Sequence, residues 1–256
     1  MVDSMQVPDD PCFRFLNWDS AHFGLRIGRV LPVRFDTELS RQALMWAREF
    51  SIDCMYLLLA AEDAAAIRTA AGCGWRMVDI RVTLGAPAVG DGEHDSHIRT
   101  AKLEDIPALR RIAAQSHKDS RFYADGNFPS AKCDDLFATW IERSVREREF
   151  AGLVLVPETQ SNQPAGYVTC SITDGQGRIG LVAVDEKARG MGWGTRLVAE
   201  SIRWSARHGA ERISVVTQGC NVAALRMYER CGFRVESVQL WFHWWRVRSE
   251  QLNQPY

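Results

Sequence analysis

The stretch "EKARGMGWGTRLVAE", residues 186–200, follows the apolar run Leu181-Val182-Ala183-Val184 and leads into a helical pattern. Gly190, Gly192 and Gly194 stand at every second position within it. Glycines spaced this way between a strand and a helix mark a backbone that turns sharply or approaches something closely. A Walker A loop is excluded, because no lysine precedes Thr195 to reach the outer phosphates. A dinucleotide fingerprint fits poorly, because the spacing is G-x-G-x-G and the loop falls late in the chain rather than in an opening βαβ unit. What survives is Arg189-x-x-Gly192-x-Gly194, with successive backbone N–H groups facing one place at a helix start. The helix dipole adds partial positive charge there, and Arg189 offers a charge-assisted contact, so the pattern suits a pyrophosphate. Taken alone, the loop fits a glycine-eased strand-to-helix crossing equally well.

The 256 residues suffice for one large domain or two modest ones. A net charge of -1 supplies no basic field for nucleic acid or an anionic membrane surface. The longest apolar run, residues 54–61, is far too short to span a bilayer, and "MVDSMQVPDD" lacks the basic and apolar regions of a secretory signal. Seven cysteines, an odd number with no C-x-x-C, read as free thiols in a reducing compartment, and the six histidines show no paired helical spacing. A cytoplasmic protein with no metal is the expectation.

The clearest break is "GAPAVGDGEHDS", residues 85–96, which divides an N-terminal α/β part (1–90) from a larger second part (97–256). Three strands around 152–156, 165–172 and 177–184 precede the glycine loop. A helix over 192–208, a strand over 212–217, a helix over 221–230 and one or two closing strands follow. That succession predicts a mixed α/β sheet. "AAIRTAAGCGWRMV" (65–78) aligns without gaps to "AALRMYERCGFRVE" (223–236) and is read as a degenerate structural repeat. Tyr228 then stands where the first copy has Ala70, and only the second copy is preceded by the glycine loop.

"TQGCNVAALRMYERCGFRV" (217–235) settles the loop. Asn221 alone reads as a helix N-cap and Tyr228 alone as a half-buried helix residue. The order strand, R-x-x-G-x-G, helix, strand, N-x-x-A-x-x-x-Y helix and Gly-Phe nevertheless resembles the GNAT (GCN5-related) N-acetyltransferases over residues 98–245. The likeness extends, through Trp18-Asp19-Ser20-Ala21-His22-Phe23-Gly24, Ser120-Arg121-Phe122 and "ATWIERSVRE" (138–147), to members of that family that acetylate nucleotide-linked amino sugars.

The resemblance implies a GNAT fold in the second part, with a degenerate half-GNAT-like N-terminal part. It implies that Leu181, Val182, Ala183 and Val184 pair with the pantetheine arm of acetyl-CoA. Arg189, Gly190, Met191, Gly192, Trp193, Gly194 and Thr195 then hold the pyrophosphate, Asn221 lies near the thioester, and Tyr228 protonates the departing thiolate. A phenol, with a reference pKa near 10, suits that role. No side-chain nucleophile is evident, neither a G-x-S-x-G elbow nor a cysteine with a histidine partner, so direct attack in a ternary complex fits better than a ping-pong scheme. The implied acceptor is a dTDP- or UDP-4-amino-4,6-dideoxy sugar, with Arg121, Phe122 and Tyr123 bordering it, and the implied assembly is a homodimer. The base is open among Asp119, His117, Glu142 and water. "LWFHWWRV" (240–247) reads first as a core or interface strand. A non-sugar amine acceptor, or a non-catalytic acyl-CoA-binding module, remain as alternatives.

Overall fold

A computed structural model describes residues 7, 10–31, 34–90, 92–147, 153–157 and 163–246. Its contacts divide the chain into a first unit, residues 1–80, 124–127 and 239–256, and a second, residues 81–123 and 128–238.

The first unit contains β1 (Phe13–Phe15), α1 (Asn17–Phe23), β2 (Ile27–Val30), α2 (Thr37–Glu49), β3 (Cys54–Ala60) and α3 (Ala64–Gly72). β2 runs parallel to β3 and antiparallel to β1. β3 also pairs antiparallel with residues 239–245 of β10 (Arg234–Trp245). Alternation sends Met55, Leu57 and Leu59 to the sheet face beneath Ala43, Trp46 and Ala47 of α2 and Ala66 and Ala70 of α3. Phe242 joins this core at 2% exposure, so the C-terminal aromatics up to Trp245 are strand residues of the unit; Val247 lies outside the described residues. On the other face Trp245 Nε1 donates to the buried Asp125 carboxylate at 3.0 Å, and the buried His243 pairs with the same group. α1 carries no long apolar stripe to announce it; Gly24 ends it in the left-handed region at φ 69°.

In the second unit residues 81–87 of β4 (Arg76–Pro87) pair antiparallel with β9 (Arg212–Gln218). Beyond β9 come β8 (Gln176–Val184), β7 (Gly166–Thr173), β6 (Leu153–Pro157) and β5 (Ile98–Thr100), antiparallel except for β8 with β9. The turn expected at 158–164 lies mostly outside the described residues. A 3₁₀ turn (Leu103–Asp105) feeds α4 (Ile106–Gln115), followed by α5 (Arg121–Asp125), α6 (Ser130–Arg146), α7 (Trp193–Arg207) and α8 (Val222–Arg230). The strand pairing within each unit is mixed, as the element order predicts. None of the described helices is long and apolar enough to cross a membrane. The units part at residues 80/81, 123/124, 127/128 and 238/239, the first and last of these within β4 and β10; the first three residues of the 85–96 stretch are strand.

The two copies of the internal echo fold alike. Asp63 caps α3 by accepting from Ala66 N at 2.9 Å, and Asn221 caps α8 by accepting from Ala224 N at 3.0 Å. Cys73 and Cys231 end the helices, Gly74 and Gly232 follow at φ 83° and 89°, and Trp75 N and Phe233 N each bond back to the carbonyls of Ala70 and Tyr228 at 3.0 Å.

One irregularity prepares the site. Parallel pairing of β8 with β9 stops at Ile179 opposite Val215, although β8 continues to Val184 and β9 to Gln218. β7 stays paired with Val182, Ala183 and Val184 on the other side, after a register shift between Val168 and Cys170. There the Thr169 hydroxyl accepts from Leu181 N at 2.8 Å. A Cβ on Gly180 would lie 2.7 Å from that same oxygen. The strands therefore part, and the far edge of residues 182–184 is left unpaired by β9.

Candidate active site

Beyond Val184, Asp185 caps a 3₁₀ turn (Glu186–Ala188) and is held by Arg111 at 2.8 Å. The chain then passes through Gly190 at φ 79° and Gly192 at φ 80° before α7 begins. Both angles lie in the left-handed region, which a side chain enters only with strain. Gly194 serves a different purpose: a Cβ there would meet Met227 Sδ at 2.8 Å, so this glycine lets α7 close on α8. No side chain caps α7, and the first bond back along it runs from Arg196 N to Gly192 O. Its opening amides are available to an anion.

These elements border a cleft of about 740 Å³. One wall holds Val182, Ala183, Val184, Arg189, Gly190, Gly192, Trp193, Gly194, Thr195 and Asn221, with Met227 and Arg230 of α8. Arg189 Nε also donates to the Val184 carbonyl at 3.3 Å. The Oδ1 of Asn221 is spent on its cap, which leaves its NH₂ for a ligand. Residues 115–119, the end of α4 and the turn beyond it, also line the cleft. Sequence reasoning named His117 and Asp119 there only as possible bases; Gln115, Ser116, Lys118 and Arg230 belong to no motif.

Three expected residues stand elsewhere. Leu181 does not line the cleft, and its N–H is taken by Thr169. Met191 is not among the lining residues either, and is 66% exposed. Tyr228, between the lining residues Met227 and Arg230, turns its ring into the core against Phe233 at 4% exposure. Its hydroxyl bonds to none of the described residues, yet it is not among the polar atoms sealed from solvent. Burial holds its phenol well above the ordinary value, so the proton stays on oxygen.

Arg121, Phe122 and Tyr123 also stand off the cleft. Phe122 is buried edge-on to Phe128 beneath the Arg121 guanidinium, and Tyr123 hydrogen-bonds Asp134 under Lys118. They anchor the turn. Glu142 is likewise off the cleft, its carboxyl lowered by Arg146 and Arg110. His117 and Asp119 line it. Burial pulls the His117 imidazole down to about 4, so it is neutral at physiological pH. Because the folded value lies below the unfolded one, this stabilisation is complete above about pH 6.5 and is lost as pH falls toward 4. His117→Asn is expected to flatten the fall in unfolding free energy over that range, by up to about 1.4 kcal/mol per pH unit. Superimposable denaturation series for the two proteins would show that His117 titrates normally.

Trp193 is braced from behind. Arg196, which does not line the cleft, lies 4.2 Å from the Trp193 ring centre and is gripped by Asp95 through bonds of 2.7 and 2.6 Å. Asp95→Asn should loosen that ring and weaken acetyl-CoA binding about two- to fivefold, the worth of a partly exposed ion pair. Unaltered affinity by calorimetry would separate the brace from the cleft.

The cleft thus sets an uncapped helix start behind left-handed glycines, beside a strand edge released by its neighbour. Residues 114–233 match the acetyltransferase (GNAT) family. The chain is 30% identical over 230 residues to dTDP-fucosamine acetyltransferase of Escherichia coli O6:H1, covering 89% of this chain and 96% of that one. It belongs to the GNAT family and is an N-acetyltransferase. A second relative is the spore coat polysaccharide biosynthesis protein SpsD of Bacillus subtilis, 25% identical over 55% of this chain and 48% of that one. Among solved structures, a GCN5-related N-acetyltransferase from Sphaerobacter thermophilus superposes with a TM-score of 0.61 at 18% identity, over 91% of this chain and 76% of that one. Acetyltransferases of this family use acetyl-CoA.

Proposed function

We propose that the chain transfers the acetyl group of acetyl-CoA to the amine of a nucleotide-linked amino sugar, a dTDP- or UDP-4-amino-4,6-dideoxy sugar, by direct attack in a ternary complex. The observation that carries the cofactor half is the parting of β8 from β9 beside the uncapped start of α7. Acetyl-CoA supplies an acyl carbon already activated as a thioester. Residues 182–184 offer backbone groups to its amide-bearing arm, and the amides from Gly190 to Thr195, with Arg189, suit its diphosphate. Asn221 has a free NH₂ at the end of the cleft nearest α8. Tyr228 holds a proton on a buried phenol whose oxygen is not fully sealed from solvent, ready for a departing thiolate.

Support for the sugar half comes from the relative that shares nearly the whole chain, whose name gives dTDP-fucosamine as its acceptor. Chromatographic assay of the protein with acetyl-CoA and a panel of dTDP- and UDP-4-amino sugars tests it. Acetylation of one of them is expected. Turnover on a polyamine, an aminoglycoside or a protein amine, with none on the panel, would move the acceptor outside nucleotide sugars.

A further inference from the structure

The cleft that the glycine loop borders is also lined by His117, a residue no motif marks. Its backbone sits at φ 57°, in the left-handed region that a non-glycine residue occupies only under constraint. Its ring lies nearly flat on Phe137, with centroids 4.6 Å apart, and Nε2 is 3.1 Å from the hydroxyl of Tyr167. Tyr167 is wholly buried in β7, directly opposite the cleft residue Ala183. Backbone, stacking and hydrogen bond together leave the imidazole one orientation.

The hydrogen bond also fixes where the ring proton resides. Burial keeps the Tyr167 phenol protonated, and His117 Nε2 is its hydrogen-bond partner among the described residues. Were Nε2 protonated, it would donate to the phenol oxygen and leave the buried phenol proton without an acceptor. Tyr167 therefore donates to Nε2, and the proton of the neutral ring sits on Nδ1. Nδ1 bonds to none of the described residues and is not a sealed atom, while the residue lines the cleft. Lys118 and Asp119, next in sequence, line the cleft with it, as do Arg189 and Arg230. A neutral N–H in that company suits a carbonyl oxygen rather than a proton from an ammonium group.

Resting on the acetyl-CoA reading above, we propose that His117 donates through Nδ1–H to a carbonyl oxygen of the acyl-pantetheine arm, an amide or the thioester, with Tyr167 as the positioning residue that fixes the tautomer. This removes His117 from the possible bases.

The test is long-range ¹H–¹⁵N correlation of the protein labelled at histidine nitrogens, with the His117 signal identified by its loss in His117→Asn. The Nδ1–H tautomer is expected at pH 7, with its proton shifting when acetyl-CoA is added; a shift with free CoA as well would assign an amide. Tyr167→Phe should give mixed tautomers. In kinetics, His117→Ala should lower kcat/KM for acetyl-CoA about tenfold. His117→Asn, whose amide NH₂ stands near the place of Nδ1, should restore most of that, and His117→Gln should not. An Nε2–H tautomer, or an Nδ1 proton unmoved while calorimetry shows acetyl-CoA bound, would overturn the proposal alone. Equal losses in the Ala and Asn variants, with native thermal melting, would do the same. No binding of acetyl-CoA by calorimetry would overturn the cofactor reading and this proposal with it.

Discussion

Gly192→Val is expected to abolish measurable acetyl-CoA binding. Gly192 sits at φ 80° as the last residue before α7, and nothing lies within 4 Å of where its Cβ would project. The loss therefore comes from the backbone and the ligand, not from a clash inside the protein. A β-branched residue at such an angle costs roughly 1–3 kcal/mol, and relaxing it turns the amides of the first helical turn away from a common point. The valyl methyls would also stand where a diphosphate must approach. Together these predict a loss of about 100-fold or more. Thermal melting should be lowered only modestly, because the residue is exposed. Gly194→Ala makes a useful contrast. Its Cβ would press on the thioether of Met227, a flexible group, so that variant should lose some stability and retain much of its affinity. Normal affinity for acetyl-CoA in Gly192→Val would remove the cradle from this loop.

Tyr228→Phe should bind acetyl-CoA as tightly as wild type yet turn over more slowly by about 100-fold or more, the low end of what a general acid contributes. The ring packs with Phe233 in the core, so phenylalanine preserves the packing and removes a single oxygen. That oxygen has no hydrogen-bond partner among the described residues, so its loss strands no buried donor or acceptor. Any loss of rate therefore reports on the proton. Because burial raises the phenol above its ordinary value, activity should not decline through deprotonation of Tyr228 anywhere near neutral pH. Unchanged turnover would eliminate Tyr228 as the acid.

Much of the second unit was readable because its signals are local. Alternating glycines, an Asn cap and a Gly-Phe turn each act within a few residues. Asn221 is an N-cap through Oδ1, as its sequence position suggests, and it also lines the cleft. What escaped depends on distance along the chain. Nothing near His117 encodes a positive φ, and its ring partners Phe137 and Tyr167 lie 20 and 50 positions away. Phe122 offered an aromatic to a hoped-for acceptor, and only its edge-on contact with Phe128 shows that it faces inward. A strand's period states which face is buried but not which strand lies beside it, so the partners of β4 and β10 could not be read from their residues.

Those partners set a limit on dividing this enzyme. A polypeptide covering residues 97–256 would hold every lining residue of the cleft, yet β9 would lose residues 81–87 from its outer edge. The complementary piece, 1–90, would leave β3 without residues 239–245. Each fragment would expose a row of unmet backbone groups, an invitation to self-association. A single scission in the glycine- and proline-rich stretch thus cannot yield a portable catalytic module, and grafting or domain exchange in this protein would have to carry both crossing strands.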